Sequence, residues 1–153
     1  MDLVVAAVGT RMPDWIADGW QEYARRMPPH LKLELIEVPV AGKAGAGRES
    51  TVEAERLLAR APEDACRVAL EIGARPWSTE KLSSRLEHWQ LEGRAVWFFI
   101  GGARGLDRSV LDTCHERWSL GPATLPHMLV RVVVAEQLYR AWTVLSGHPY
   151  HRG

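Results

Sequence analysis

Residues 128–145 read MLVRVVVAEQLYRAWTVL, and what they form decides the architecture. The β-branched centre, Val130 and Val132–Val134, favours a strand by propensity. The length favours a helix, with Pro126 placed just before its start. Taken as a helix, the segment puts Glu136, Gln137 and Arg140 on one narrow polar face and leaves almost everything else apolar. A helix apolar nearly all round has to be buried. In a chain of 153 residues, packing against a second copy is one way to bury it.

Upstream, strand-like and helix-like stretches alternate. DLVVAAVG (2–9) is a β-rich run ended by glycine. In the next segment Pro13 and Asp14 suit a helix start, and Trp15, Ile16, Trp20, Tyr23 and Met27 recur at helical spacing. LKLELIEV (31–38) alternates with period two and reads as a strand. AGKAGAGRES (41–50) is glycine-rich and small, a flexible loop without the spacing of a phosphate-binding P-loop. Ser50 with Glu53 forms a capping-box pattern opening a helix to about Arg60. CRVALEI (66–72) is a strand. Ser78 or Thr79 caps a helix running through Leu91, with Leu82, Leu86 and Trp89 on one face. RAVWFFIGG (94–102) is a strand entering a glycine turn, and LDRSVLDTCHERW gives a short helix. WSLGPATLPH (118–127) holds a glycine and two prolines and is not a helix. Alternating strands and helices predict a single α/β domain over 1–153 with about five strands, a mostly parallel sheet flanked by helices.

Composition narrows the function classes. The apolar fraction is 46% and the charged fraction 25%, which excludes a disordered chain. Nineteen basic residues balance nineteen acidic ones, so a polyanion partner must be met by a local patch rather than by global charge. The C-terminal third offers one, with Arg117, Arg131, Arg140 and Arg152 against Glu136 and with His127, His148 and His151 nearby. Cys66 and Cys114 have no metal-type spacing and read as small buried thiols in a reducing compartment. No signal peptide or membrane-length apolar run is present, which predicts a soluble, cytoplasmic protein without a membrane or metal partner.

Two stretches carry candidate chemistry. IGGARGL (100–106) follows a strand and precedes a helix, where open α/β sheets bind ligands beyond the carboxyl ends of their strands. Gly101 and Gly102 would let backbone approach a ligand, although on the bare pattern a plain tight turn is the better explanation. SLGPATLPH (119–127) is an irregular stretch able to offer backbone N–H and C=O groups to a flat heterocycle, and an ordinary surface loop is the alternative. The dinucleotide fingerprint and its ribose-binding acid are missing, which disfavours a nicotinamide-dependent oxidoreductase. A non-catalytic nucleotide- or RNA-binding α/β module remains the competing class.

Taken together, AVGTRMPDW, LELIEVP, PWSTEKL, IGGARGL, SLGPATLPHMLVRVVVAEQLYRAW and the terminal HPYHRG resemble the RlmH family across the whole chain. These are small SPOUT-class methyltransferases of a pseudouridine in large-subunit (23S) ribosomal RNA. The resemblance implies a C-terminal deep trefoil knot, a rarity among folds. It also implies S-adenosyl-L-methionine bound at the knot, and a homodimer. Carried over residue by residue, it places the cofactor against Leu70, Gly101, Leu120, Gly121, Pro122, Ala123, Thr124 and Leu125. The chain departs from the family where GGPEGL becomes GGARGL, so that Ala103 and Arg104 replace proline and glutamate. It departs again at Pro122, which removes one backbone donor from the loop. The 41–50 loop is also less basic than the family's.

The implied reaction sets the demand on the remaining residues. Methyl transfer from a sulfonium needs proximity and in-line alignment. The implied acceptor, N3 of pseudouridine, must also lose a proton, so the site needs a base or a positive charge. His127, at the junction of loop and helix, can supply either, or simply a structural hydrogen bond. Arg140 is a second candidate, with an i,i+4 ion pair to Glu136 as its alternative. Arg131 reads as structural or phosphate-facing. In the tail, Tyr150 can stack on a base, His151 exchange a proton and Arg152 hold a phosphate or carbonyl oxygen. A solvated tail is the default for such a terminus. The resemblance instead gives the tail a place in the active site, either in its own subunit's pocket or completing the other's across the dimer. Near-zero net charge and small size favour the assembled ribosome over naked RNA as substrate.

Overall fold

A computed structural model describes residues 1–42 and 47–152. The chain runs β1 (Asp2–Val8), α1 (Asp14–Ala24), β2 (Lys32–Val38), α2 (Glu49–Arg60), β3 (Cys66–Leu70), α3 (Thr79–Glu92), β4 (Val96–Ile100), α4 (Arg108–Thr113), β5 (Glu116–Trp118) and α5 (His127–Ser146), with a final 3₁₀ turn at Pro149–Arg152. The five strands pair in the order β2-β1-β4-β3-β5, and every pairing is parallel. Side chains alternate across the sheet. Leu3, Val5, Val68, Val96 and Phe98 face one core with Trp20, Leu86, Trp89 and the α5 residues Val134, Ala135 and Leu138. Val4, Ala6, Val8, Trp97 and Phe99 face the other with Ala54, Leu57 and Val110. Helices α1, α3 and α5 therefore cover one face, and α2 and α4 the other.

Residues 128–145 are helical, and α5 begins one residue earlier, at His127. Its buried residues, among them Arg131, Val134, Ala135, Leu138, Tyr139 and Ala141, follow helical spacing. The helix is not enclosed by its own chain, because Val130, Val132, Val133, Trp142 and Val144 remain half-buried.

Several local expectations are corrected. The capping box at Ser50 does not form: α2 starts at Glu49 with no side-chain cap. Glu53 Oε2 instead accepts from the Ala41 N–H at 3.2 Å, and Ser50 Oγ donates to Asp107 Oδ1 at 3.1 Å. Tertiary partners outcompete the local box there. Met27 lies beyond α1, and Leu31 belongs to a 3₁₀ turn before β2. Leu91 is followed by one further helical residue, and α3 closes on Gly93 at φ +72°. Ser78 is its cap, accepting from the Lys81 N–H at 3.0 Å. The tail of LDRSVLDTCHERW leaves the helix and becomes β5. Of the glycine-rich 41–50 loop, residues 43–46 lie outside the described residues. Cys66 is buried and Cys114 only partly so, and both are free. Burial pushes the Cys114 thiol up to about 11, which leaves it inert at neutral pH.

Candidate active site

The order β2-β1-β4-β3-β5 places the ends of β3, β4 and β5 side by side where the chain steps back and forth across the sheet. Crevices form at such switch points. A cleft of about 520 Å³ opens there, within the range of small-molecule sites, roughly 300–1,000 Å³. Its walls are Leu70–Gly73 after β3, Ile100–Leu106 after β4, and Trp118, Leu120, Gly121 and Ala123–Leu125 after β5, with His127 and Val130 from the start of α5.

Each wall has a local cause. The glycine turn closes on itself through the Gly105 N–H donating to the Gly102 carbonyl at 3.0 Å, with Gly105 at φ +77°. A Cβ on Gly101 would lie 2.3 Å from the Gly105 carbonyl carbon, so glycine is required by the turn's own backbone. The loop after β5 is organised by Ser119, only 2% exposed. Its hydroxyl accepts from the Gly121 N–H at 3.1 Å and donates to the Ile72 carbonyl at 3.2 Å. Ser119 thus ties the β5 loop to the β3 turn. Beneath the cleft the Trp118 ring stacks on Trp77 at 5.6 Å and meets Phe98 edge-on at 6.0 Å. Polar groups at the mouth are Glu71, 3.7 Å from Arg117, and Arg104, 3.8 Å from Glu49.

Of the residues expected around the cofactor, Leu70, Gly101, Leu120, Gly121, Ala123, Thr124 and Leu125 line this one cleft and Pro122 does not. Pro122 is exposed. Of the expected catalytic residues, only His127 lines it. Arg140, Tyr150, His151 and Arg152 lie elsewhere. Arg140 Nη2 bonds Glu136 Oε2 at 2.6 Å. The Tyr150 hydroxyl donates to the same oxygen at 2.9 Å, and its ring packs edge-on against Tyr139 at 4.7 Å. Burial, with hydrogen bonds to Tyr23 and Glu136, holds the Tyr150 phenol well above its ordinary range. His151 Nδ1 is buried without a hydrogen-bond partner, and Arg152 is exposed.

The expected basic patch does not form from the four arginines. Arg131 is fully buried and paired with Glu37 at 2.5 Å. Arg140 is paired with Glu136, and Arg117 stands near Glu71 and Asp112. Glu37 is 94 positions away from Arg131, so counting charges within one segment could not reveal this pairing. Glu71, Ile72, Gly73, Trp118 and Val130 line the cleft without having been expected there, and Ser119 organises its loop from beneath. For Ser119 the available signal is a serine two residues before the glycine of a non-helical loop.

A parallel α/β sheet with a ligand-sized cleft over its carboxyl ends defines the class. Solved structures share this fold: a methylase-family protein of Haemophilus influenzae Rd KW20 superposes with TM-score 0.53 at 15% identity over 97% of this chain and 69% of its own. One from Neisseria gonorrhoeae gives 0.52 at 16% identity over 90% of this chain and 81% of its own. The family profile described as "Predicted SPOUT methyltransferase" matches residues 1–151. Proteins called ribosomal RNA large subunit methyltransferase H are 50% identical in Pseudomonas fluorescens Pf-5 and 51% in Pseudomonas aeruginosa LESB58, over 99% of this chain and all of theirs. The Azotobacter vinelandii protein of that name is 48% identical over the same shares. The chain belongs to the SPOUT methyltransferases and, within them, to the ribosomal RNA large subunit methyltransferase H family.

Proposed function

We propose that this methyltransferase moves a methyl group from S-adenosyl-L-methionine to N3 of a pseudouridine in large-subunit ribosomal RNA. It does so in the cytoplasm, as a homodimer, on the assembled ribosome. The observation that carries the reading is the convergence of seven expected cofactor residues from three separate loops on one cleft. The lining suits the donor. Leu70, Ile72, Leu120 and Leu125 offer apolar surface to a heterocycle, the glycine turn offers close backbone, and Glu71 offers a carboxylate to a cationic group. The bound donor supplies an electrophilic methyl group. The knot implied by family membership would hold the β5 loop against the glycine turn, and the Ser119 bonds do the same work locally.

His127 stands at the rim of the cleft, on the first residue of α5. As a neutral imidazole it accepts the N3 proton of the acceptor; as a cation it stabilises the resulting anion. Arg140 and the tail act from the outer side of α5. In a dimer built on the half-buried α5 face, Tyr150, His151 and Arg152 of one subunit reach the partner's cleft and complete its acceptor side. No helix among the described residues is long and apolar enough to cross a membrane. The test is transfer of labelled methyl to ribosomes, isolated subunits and free ribosomal RNA in parallel. Incorporation into assembled particles at a pseudouridine is expected. Incorporation into none of the three overturns the reading.

A further inference from the structure

The turn between β1 and α1, Gly9–Pro13, reaches the rim of the cleft at Gly9, and the end of β1 approaches it at Val8. A Cβ on Gly9 would lie 2.8 Å from Met128 Cε and 3.9 Å from His127 Nε2. A Cβ on Gly102 would lie 3.3 Å from Val8 Cγ1. His127 and Gly102 are both cleft residues, so the turn leaves β1 next to the rim of the site at Gly9.

That turn is held from beneath by an arginine with no exposure at all. Arg131 Nη2 donates to the Gly9 carbonyl at 2.8 Å and the Val8 carbonyl at 3.2 Å. Its Nη1 meets Glu37 at 2.5 Å and the Met12 sulfur at 3.5 Å. A buried guanidinium is costly unless its donors are matched; both terminal nitrogens go to the turn and to Glu37, and the buried Nε is left without a partner. The turn they fix displays Arg11, exposed, and leads into α1, whose second residue, Trp15, is 65% exposed. Trp20, Trp89, Trp97 and Trp118 are buried, and Trp77 and Trp142 partly so. Trp15, in the first turn of α1, stands in water, and among the described residues Arg11 makes no ion pair.

We propose that this turn and the start of α1 dock the RNA strand next to the target nucleotide, with Trp15 stacking on an unpaired base and Arg11 binding a phosphate. The inference rests on the RNA-methylation reading above. An aromatic face and a nearby cation are what single-stranded RNA is recognised by. A second copy of the chain is the poorer occupant. Thr10, Arg11, Pro13, Asp14 and Asp18 around Trp15 are all exposed and mostly polar, whereas subunit interfaces centre on depleted charge. The apolar surface suited to a partner lies on α5 instead.

The test uses Trp15→Ala, Trp15→Phe and Arg11→Ala in the full chain. Both positions are exposed, so folding is preserved. Methyl transfer to ribosomes is followed kinetically, donor affinity by calorimetry and assembly by sedimentation. Trp15→Ala raises KM for the ribosome by roughly 5- to 150-fold, the span of a lost base stack, with donor affinity and sedimentation unchanged. Trp15→Phe restores most of the loss. Arg11→Ala raises KM and lowers the salt slope of binding by about one. Unchanged KM in Trp15→Ala and Arg11→Ala, with an active wild type, overturns this inference alone. A changed sedimentation coefficient for Trp15→Ala makes Trp15 a subunit contact and overturns it as well. A wild type that methylates no RNA removes the functional reading and this inference with it.

Discussion

Replacing Gly101 by alanine tests the cleft at its most constrained point. The added Cβ would stand 2.3 Å from the Gly105 carbonyl carbon, 2.4 Å from its oxygen and 2.7 Å from the Leu106 nitrogen. Carbon atoms in contact prefer about 3.5–4.0 Å, so the turn must open by on the order of 1 Å. All three neighbours are backbone, and none can rotate away as a side chain would. Overpacking of this kind costs about 1–3 kcal/mol, and the upper half of that range is expected here. Because residues 101–106 line the cleft, the same movement displaces the wall meant for the donor. A loss of at least tenfold in S-adenosyl-L-methionine affinity follows, equivalent to about 1.4 kcal/mol. Gly102→Ala is the internal control. Its Cβ would meet Glu53 Oε1 and Val8 Cγ1, both at 3.3 Å, and these side-chain ends can yield. Calorimetric titration with the donor and urea unfolding of both variants decide the matter. Wild-type stability and affinity in Gly101→Ala would refute the steric reasoning and the cofactor assignment together.

Three further outcomes are expected. Val133 lies half-buried on α5, so Val133→Glu should turn a sedimenting dimer into a folded monomer, and a wild type already monomeric at micromolar concentration contradicts the dimer. Asp107 caps α4, accepting from the Ser109 N–H at 3.1 Å and its hydroxyl at 2.7 Å, so Asp107→Ala should lose about 1–2 kcal/mol in urea unfolding. The Ser109 bonds hold the Asp107 carboxyl below its usual range, so its contribution is full above the unfolded value, near pH 4, and fades as pH falls through the folded one; a wild type and variant that differ equally at pH 7 and pH 2 would contradict this. Deleting residues 149–153 removes the Tyr150 ring from Tyr139 and its hydrogen bond to Glu136, and should lower stability by about 1–3 kcal/mol while leaving donor affinity intact and abolishing transfer. Mixing that protein with a Gly101→Val chain should restore activity at one site of a mixed dimer; failure to do so in verified mixed dimers places the tail in its own subunit's site.

How far the sequence could be read depended on how local the deciding interaction was. The strands 2–8, 32–38, 66–70 and 96–100 are marked by β-rich runs between glycine, proline and cap residues, and the Ser78 cap needs only the next three residues. The strand β5 escaped because three residues, Glu116–Trp118, give too short a pattern to separate from the helix before them. The Ser50 and Glu53 pair failed for the opposite reason: both side chains found better partners in other segments. The cleft was legible where loops sit at strand ends, since fold class alone places ligands there. Arg140 and Tyr150 converge on Glu136 rather than on the cleft. Nothing short of three dimensions separates a residue facing its own pocket from one facing outward.

The pairing of charges bears on the form of the substrate. Net charge is zero, and Arg117, Arg131 and Arg140 each stand against a carboxylate. Affinity for RNA through counterion release requires cations that are free to meet phosphates. An arginine already facing glutamate or aspartate releases few counterions, because its neighbourhood is near neutral before RNA arrives. Glu136 sharpens the point, since it accepts from both Arg140 and Tyr150 and holds the two side chains proposed for the acceptor side in one cluster. Such a surface discriminates poorly among naked strands by charge and depends on fit to a preformed shape. A ribosome presents its RNA in a fixed conformation, so the ordering of the strand is already complete when the enzyme binds. Isolated ribosomal RNA would have to be ordered at the expense of a contact set that is small and weakly charged. The paired arginines therefore favour the assembled particle, and they predict a methylation rate on it that falls only shallowly with salt.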